Sequence, residues 1–264
     1  DLDHTCAATG LLGEDNARIF ENLFASHGIA DHFVRMPGAT RINVKLNDPQ
    51  SGVTTDINLV PPTPPADALV LLRATITALC DGAARIFVLG GSLPPGVPVD
   101  YYVGLARALR AAGKKVVLDT SGAPFAAALA GGPDFVKPNR HELEEWLGRK
   151  LPDMDAVILG AQSLQAAGPT NVIVSLGEEG AVLLTPQGCW HARPLRVEVV
   201  STVGAGDSMV AGWISAMLKG MPPPDALRLA TASAAARVSH PDGSLHRQGL
   251  EEMAKLVEVT KLKA

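Results

Sequence analysis

The chain has 264 residues, enough for one large domain or for a domain with a small appendage, and its 47% hydrophobic content supports a substantial core. The aromatic content of 4% and the net charge of −4, without a long Lys/Arg cluster, argue against nucleic-acid and membrane-surface binding. The three scattered cysteines, Cys6, Cys80 and Cys189, suggest reduced thiols in a cytoplasmic protein and not a disulfide framework or zinc site.

The first segment of the chain, Thr5–Gly10, has the pattern of a buried strand, although the chain opens on Asp1. A domain rarely begins in the middle of a sheet. We therefore expect that an N-terminal portion of the domain is missing from this sequence.

Residues 33–60 differ in pattern from the rest and are predicted to form a small β-sheet lid. Arg41–Leu46 alternates between polar and apolar residues, Asp56–Leu59 does so more weakly, and Asn47–Gly52 has turn composition. The period of two gives a polar face with Arg41, Asn43 and Lys45 and an apolar face with Ile42, Val44 and Leu46. A charged strand face is ordinarily just solvated, whereas the apolar face must be covered, and a second copy of the chain could cover it.

After a proline-rich connector, Pro61–Pro65, short apolar runs alternate with helical patterns. The predicted strands are Ile86–Gly90, Lys115–Asp119, Phe135–Lys137, Asn171–Ser175 and Ala181–Leu184. The predicted helices are Tyr101–Ala112, Asn139–Leu147, Asp155–Ala167 and Ala226–Val238. This alternation predicts an α/β domain over residues 1–32 and 61–264, with a mostly parallel central sheet flanked by helices. In such sheets the functional site lies at the carboxyl ends of the strands.

Three polar turns follow predicted strands. The first carries Ser92, whose hydroxyl could meet a phosphate or a sugar, although a rigid Pro/Gly turn explains the same residues. The second, Lys137–Glu142, has Asn139 and Glu142 at the spacing of a helix capping box, and the same pair could hold a water-shelled Mg²⁺. The third, Ser175–Gly180, is either a plain hairpin or a close backbone approach to the phosphates of a nucleotide.

The segment Ser201–Gly212 predicts a strand end, a glycine turn and a helix start. Gly204 and Gly206 remove side chains from the turn, so that backbone N–H groups can converge on an anion at the helix N-terminus. Asp207 lies in the first helical turn. It is either a helix cap or a general base at a phosphoryl-transfer centre.

These motifs resemble those of the PfkB, or ribokinase-like, carbohydrate kinases along nearly the whole chain. Thr202–Gly212 is similar to the C-terminal signature of the family, and Asn139–Glu142 is similar to its N-x-x-E motif. Five segments are most similar to those of members that phosphorylate fructose 1-phosphate: Thr40–Leu46, Gly91–Gly96, Lys137–Glu144, Ser175–Gly180 and Val200–Gly212. The resemblance implies a ribokinase-like fold and ATP-dependent formation of fructose 1,6-bisphosphate. Kinases of the family that act on tagatose 6-phosphate or fructose 6-phosphate share much of the pattern, and a non-catalytic sugar-phosphate sensor is a hypothesis of another class.

The resemblance also implies a role for each candidate residue. Asp207 would be the base, and the amides of Gly204, Ala205 and Gly206 would form the anion hole. Asn139 and Glu142 would organise Mg²⁺, through water. The ATP site would be lined by Lys137, Asn139, Ser175, Leu176, Gly177, Glu178, Glu179, Gly180, Thr202, Gly206 and Asp207. The phosphosugar would meet Arg41, Asn43, Lys45, Ser92 and Asp207.

ATP and Mg²⁺ are therefore the expected cofactors, and a cytoplasmic homodimer formed through the lid is the expected assembly. The Gly-Gly-Lys-Gly-type sugar-binding motif of the family and its early Asp do not occur in this sequence. Their absence agrees with the expected missing N-terminal portion. A polypeptide without that portion is expected to have little activity, because its sheet loses strands and the sugar loses contacts.

Overall fold

The computed structural model describes residues 2, 4–47, 54–240 and 247–263. The chain divides into two compact units. The larger unit comprises Asp1–His4, Arg85–Gly91 and Asp100–Ala264, and the smaller unit comprises Thr5–Ala84 and Ser92–Val99. The predicted domain boundaries at residues 32 and 60 stay predictions.

The smaller unit contains short strands in pairs and two α-helices among its described residues. Its elements are β1 (Ala7–Ala8), β2 (Leu11–Gly13), α1 (Ala17–His27), β3 (Ala30–Asp31), β4 (Val34–Met36), β5 (Val44–Asn47), β6 (Thr54–Ile57) and α2 (Ala66–Asp81). β1 pairs with β3 and β2 with β4, both in parallel, and β5 pairs with β6 in antiparallel. The hairpin predicted within the lid is therefore present.

Two expectations for this unit are corrected by the structure. Thr5–Gly10 is not a buried strand, since only Ala7 and Ala8 are paired and Cys6 is exposed; a two-stranded sheet leaves such small side chains open to solvent. The first lid strand begins at Val44 and not at Arg41, because the Asn43 side chain accepts a hydrogen bond from the Leu59 amide (3.2 Å) where strand pairing was expected.

The larger unit is built on a seven-stranded sheet. Its strands are β7 (Ile86–Gly90), β8 (Lys115–Asp119), β9 (Phe135–Val136), β10 (Asn171–Ser175), β11 (Ala181–Thr185), β12 (Gly188–Ala192) and β13 (Val259–Leu262). They lie side by side in chain order. β7 to β10 are parallel, β11 reverses direction, and β12 reverses again, so that five of the seven strands run the same way. The predicted mostly parallel α/β sheet is confirmed.

Helices cover this sheet and bury its central strands. They are α3 (Tyr101–Ala111), α4 (Gly122–Ala128), α5 (Arg140–Leu147), α6 (Met154–Ala166), α7 (Ala205–Leu218), α8 (Pro223–Ser239) and α9 (Arg247–Leu256). All five residues of β11 are buried, and both α6 and α8 contact it. Because successive strand side chains point to opposite faces, β11 must be covered on both.

Close packing sets the position of α7. The Trp213 ring of α7 stacks on the Phe135 ring of β9, with centroids 5.1 Å apart. A Cβ atom at Gly212 would lie 2.4 Å from Ser233 Oγ, so this glycine allows α7 and α8 to touch. The middle of α7 is thereby packed against the sheet and against α8. In the part of the chain that the structure describes, we find no helix with the length and apolar character needed to cross a membrane.

Candidate active site

The carboxyl ends of three neighbouring parallel strands bring polar residues together. Asp119 is the last residue of β8, Lys137 follows β9 directly, and Ser175 ends β10. Asn139 forms a parallel β-bridge with Ser175. Two segments predicted to line an ATP site therefore lie side by side, as the parallel sheet requires.

Lys137 is buried and reaches the start of α7. Its side chain is 8% exposed, and its Nζ atom lies 3.7 Å from Asp119 Oδ1. A Cβ atom at Gly206 would be 3.0 Å from the same Nζ, so the ammonium group occupies the space beside that glycine. A helix N-terminus and a buried ammonium both favour a negatively charged ligand. Both features lie at this end of α7.

Asp119 is the functional candidate that sequence reasoning missed. Burial raises the pKa of its carboxyl, Lys137 opposes that shift, and the charges of Asp207 and Glu142 add to it. Three carboxylates and one ammonium group thus interact at this edge of the sheet. The signal that singled out Ser175, a polar residue at the end of a predicted strand, is also present at Asp119.

The glycine turn, which we define as Thr202–Gly206, opens α7 as predicted. Gly204 has a φ of +80°, in the left-handed region that glycine adopts without strain. The Ala205 amide donates to the Thr202 carbonyl at 3.3 Å, and Asp207 is exposed in the first helical turn. The turn and the helix start are confirmed, whereas the predicted strand end is wrong: residues 193–203 form no strand, and the Val200 and Ser201 amides donate to the Val238 carbonyl instead. The anion hole and the base stay predictions.

The predicted capping box at the start of α5 is confirmed. The Glu142 amide donates to Asn139 Oδ1 at 2.8 Å, and the Asn139 amide donates to Glu142 Oε2 at 2.8 Å. Over residues 2, 4–47, 54–240 and 247–263, we find no group of three or more His, Cys, Asp or Glu side chains placed to hold a metal ion.

The loop between β10 and β11 joins two antiparallel strands as a hairpin does, with a 3₁₀ turn at Gly177–Glu179, and its approach to a nucleotide stays a prediction. Gly177 and Gly180 have φ values of +60° and +88°, and a Cβ atom at Gly180 would overlap the Ala192 carbonyl oxygen. Arg140, the first residue of α5, pairs with both carboxylate oxygens of Glu179, at 2.9 and 3.0 Å. This bidentate pair joins the hairpin to the capping-box helix. Leu176 is buried, and its amide donates to the Gly180 carbonyl at 2.8 Å.

Within the smaller unit, the structure brings together two of the predicted sugar-binding residues. Arg41 Nη2 donates to Ser92 Oγ at 2.5 Å. Asn43 instead uses its side-chain oxygen to hold the Leu59 amide. Lys45 lies in β5, but its side chain is outside the described part of the structure.

A cavity of about 230 Å³ lies between α4 and α5. It is lined by Thr120, Ser121, Gly122, Ala123, Phe125, Ala126, Pro138, Glu142, Glu145 and Trp146. Neither Gly206 nor Asp207 contributes to its wall. The cavity therefore belongs to the junction of these two helices and not to the glycine turn.

Comparison with known proteins agrees with this geometry. A sequence profile described as pfkB family carbohydrate kinase matches residues 2–247. The chain belongs to this family.

Proteins similar to this pfkB kinase in sequence and in structure are named as phosphofructokinases. The 1-phosphofructokinases of Xanthomonas campestris pv. campestris and Escherichia coli K12 are 42% and 41% identical to it, over 98% of this chain and 83% of each relative. The structure of Escherichia coli phosphofructokinase-2 in complex with substrates and products has a TM-score of 0.86 at 27% identity, over 97% of this chain and 83% of that one. The same enzyme has a structure in a tetrameric inhibited form, with a TM-score of 0.85. The predicted family and its ribokinase-like fold are confirmed.

Proposed function

We propose that this pfkB kinase transfers the γ-phosphoryl group of ATP to the 6-hydroxyl of fructose 1-phosphate, forming fructose 1,6-bisphosphate and ADP. The observation that best supports phosphoryl transfer is the buried Lys137 ammonium group, which lies beside Gly206. Asp207 is the next residue in the chain. The 1-phosphofructokinases at 42% and 41% identity support the choice of sugar.

Phosphoryl transfer depends mainly on positioning and on neutralising the charge of the transferred group. In the proposed mechanism, the amides of Gly204, Ala205 and Gly206, together with Lys137, receive the γ-phosphoryl group. The sugar hydroxyl oxygen attacks the γ-phosphorus, its proton passes to the Asp207 carboxylate, and ADP leaves. The exposure of Asp207 in the first turn of α7 suits a group that must meet a second substrate.

The nucleotide would lie along the adjoining segments of the larger unit. Lys137, Asn139, Thr202 and the loop Ser175–Gly180 are the residues that we propose for it. The Asn139–Ser175 bridge and the Arg140–Glu179 pair support this proposal, because they hold the two segments together.

We propose that Asn139 and Glu142 hold Mg²⁺ through water. Their oxygen atoms suit this hard cation, which keeps several of its own waters in proteins. The charges of Asp207 and Glu142 raise the pKa of Asp119, and a bound cation would offset this repulsion. When bound, Mg²⁺ would neutralise charge on the ATP phosphates.

In the smaller unit, Arg41 and Ser92 are in contact and offer a guanidinium and a hydroxyl group to the phosphosugar. Asn43 and Lys45 complete the set that we propose. A guanidinium group is well matched to a phosphate, because it presents several N–H donors in one plane.

We further propose a homodimer formed through the lid. Large apolar side chains on and beside its hairpin are exposed: Ile42 (58%), Val44 (41%), Leu46 (54%), Ile57 (45%) and Leu59 (52%). A cluster of this kind favours association, and a second copy of the lid is the occupant that we propose. The tetrameric form of Escherichia coli phosphofructokinase-2 indicates that a related chain assembles.

We propose a cytoplasmic location, supported by the state of the cysteines. Cys6, Cys80 and Cys189 are all free thiols in the structure. Free thiols persist in reducing compartments.

The activity can be tested with a coupled assay of ADP release on the full chain, with fructose 1-phosphate, fructose 6-phosphate and tagatose 6-phosphate. We expect kcat/KM to be at least about tenfold higher for fructose 1-phosphate, a discrimination within reach of a site built for one substrate. Preference for either of the other sugars would move the proposal to that substrate. Binding of sugar phosphates without any turnover would favour a sensor and contradict the proposed activity.

A further inference from the structure

We infer that Arg237 is a positioning residue for phosphoryl transfer. It holds the glycine turn in the conformation in which the backbone amides can receive the phosphoryl group. The inference rests on the function proposed above for this turn. Arg237 lies in the last turn of α8, the helix that packs along α7. None of the sequence patterns singled it out.

The decisive contact joins Arg237 to the peptide that enters Gly204. Arg237 Nε donates to the Val203 carbonyl oxygen at 3.1 Å. That carbonyl and the Gly204 N–H belong to one planar trans peptide, so their directions are opposite and linked. Fixing the Val203 oxygen therefore fixes the direction of the Gly204 N–H, one of the three amides proposed to receive the phosphoryl group.

Arg237 also fills the space beside Gly204. A Cβ atom at Gly204 would lie 3.1 Å from Arg237 Nε and 3.8 Å from its Cζ. The guanidinium charge is thus held against the backbone of the glycine turn. A positive charge at this distance adds to the field of the α7 N-terminus, which already favours an anion.

Two further bonds anchor the segment that precedes the turn. The amides of Val200 and Ser201 donate to the Val238 carbonyl, at 2.8 and 3.2 Å. The last turn of α8 thus holds this segment at residues 200, 201 and 203. Among the hydrogen bonds of the described residues, only the bond from Arg237 acts on the peptide between Val203 and Gly204, and Gly204 has wide backbone freedom. Without that bond, this peptide can rotate and turn the Gly204 N–H away from the phosphoryl group.

Arg228 provides a matched control on the same helix. Its Nε atom donates to the Val257 carbonyl at 3.2 Å, a bond of the same kind to a different part of the larger unit. Arg228→Ala and Arg237→Ala both remove an arginine side chain and its hydrogen bond to a backbone carbonyl, and Arg228→Ala also removes the ion pair with Asp225. Of these two substitutions, Arg237→Ala is the one that removes a hydrogen bond to the glycine turn.

The test compares the wild-type chain with R237A, R237K and R228A. Three quantities are measured: kcat with the best sugar phosphate, the Kd values of ADP and of a non-hydrolysable ATP analogue by calorimetry, and Tm. We expect R237A to lower kcat about tenfold, since an oxyanion donor is misaligned and not deleted. Its affinity for the triphosphate should fall about fivefold more than its affinity for ADP, because the turn receives the third phosphate.

R237K should recover most of both losses, since lysine keeps a charge and a donor. R228A should lower Tm at least as much as R237A does, because it also removes the ion pair with Asp225, with kcat and the ratio of the two Kd values unchanged. Equal effects of R237A and R228A on kcat and on that ratio would overturn the inference.

The readouts separate this inference from the proposed function. If the wild-type chain prefers another sugar phosphate, the substrate proposal fails while the comparison of variants stands on that sugar. If it turns over none, the ratio of Kd values still decides the role of Arg237. If it binds neither nucleotide, both the proposed function and this inference are contradicted.

Discussion

The ammonium group of Lys137 depends on Asp119 for its charge balance and on Gly206 for its space. The Nζ–Oδ1 distance is 3.7 Å, and the side chain is almost fully buried. Removing one partner of a buried ion pair is costly, because the other charge is left without compensation. At the level of single residues, the charge of Lys137 and the charge of Asp119 therefore depend on each other, and neither residue can be replaced without affecting the other.

Asp207→Asn tests the base directly. The change removes the proton acceptor and keeps the shape of the side chain, so kcat should fall by at least about 100-fold while ATP affinity and Tm stay near those of the wild type. The control is Asp155→Asn, at an exposed aspartate in the first turn of α6. Steady-state kinetics and calorimetry measure both variants, and turnover of D207N near the wild-type rate would refute the base assignment.

Lys137→Met tests the charge balance through pH. The pKa of Asp119 is raised by burial and held down in part by Lys137, so the replacement should raise that pKa further. A raised carboxyl pKa gives stability that is present at low pH and is lost as the pH rises through the folded-state pKa. We therefore expect the stability deficit of K137M, relative to the wild type, to grow as the pH rises from about 4 to about 7.

Urea unfolding with EDTA present, at several pH values, measures that deficit. Asp119→Asn serves as the control background: the deficit of K137M/D119N relative to D119N alone should not depend on pH, since the titrating group is absent from both. A deficit that is the same at every pH would contradict the proposed coupling between these two residues.

Among the elements, α5 combines a structural and a proposed functional role at its first turn. Its capping box satisfies two backbone amides, and the Arg140–Glu179 pair connects it to the hairpin after β10. A cap contributes to stability whether or not a metal binds. The two roles can be separated at Glu142, because a cation is attracted by its charge, whereas the cap needs only an acceptor oxygen.

Two substitutions in this helix should therefore have different effects. Asn139→Ala removes the cap and should cost about 1 kcal/mol of unfolding free energy. Glu142→Gln keeps an acceptor for the Asn139 amide, so its stability should stay near that of the wild type, while the Mg²⁺ concentration needed for half-maximal rate should rise.

Urea unfolding and Mg²⁺ titration of the rate distinguish these effects. The matched control is Asp153→Ala, which removes the side-chain cap of α6, where Asp153 Oδ1 accepts from the Ala156 amide at 2.8 Å. It should reproduce the stability loss of N139A with no change in Mg²⁺ requirement. An unchanged Mg²⁺ requirement in E142Q would count against the proposed metal role.

For the whole molecule, the exposed apolar side chains of the lid bear on whether two chains associate. Leu46→Asp places a charge on a side chain that is 54% exposed, and it should convert the proposed dimer to a monomer because an interface cannot bury an unpaired carboxylate cheaply. Sedimentation velocity at micromolar concentration measures the change. Leu159→Asp, at a leucine of α6 that is 56% exposed, should leave the dimer intact. A monomeric wild-type chain would exclude the lid dimer.

Local patterns in the sequence were sufficient for much of the larger unit. The bounds predicted for β7, β8 and β10 agree with the structure, because short β-branched runs between turn residues mark such strands. The capping box and the glycine turn were also predictable, since each depends on residues within a few positions of one another. The start of the first lid strand was not, because alternation shows which side chains share a face but not where pairing begins.

The sequence by itself determined the central strands of the larger unit, the family of the protein and the motifs of its candidate site. Only the tertiary structure decided which groups meet: Lys137 with Asp119 and Gly206, and Arg237 with Val203. These partners are distant along the chain, and they come together because the parallel strands end at one edge of the sheet and because α8 packs along α7. Contacts of this kind depend on the packing of whole elements, which no local pattern encodes.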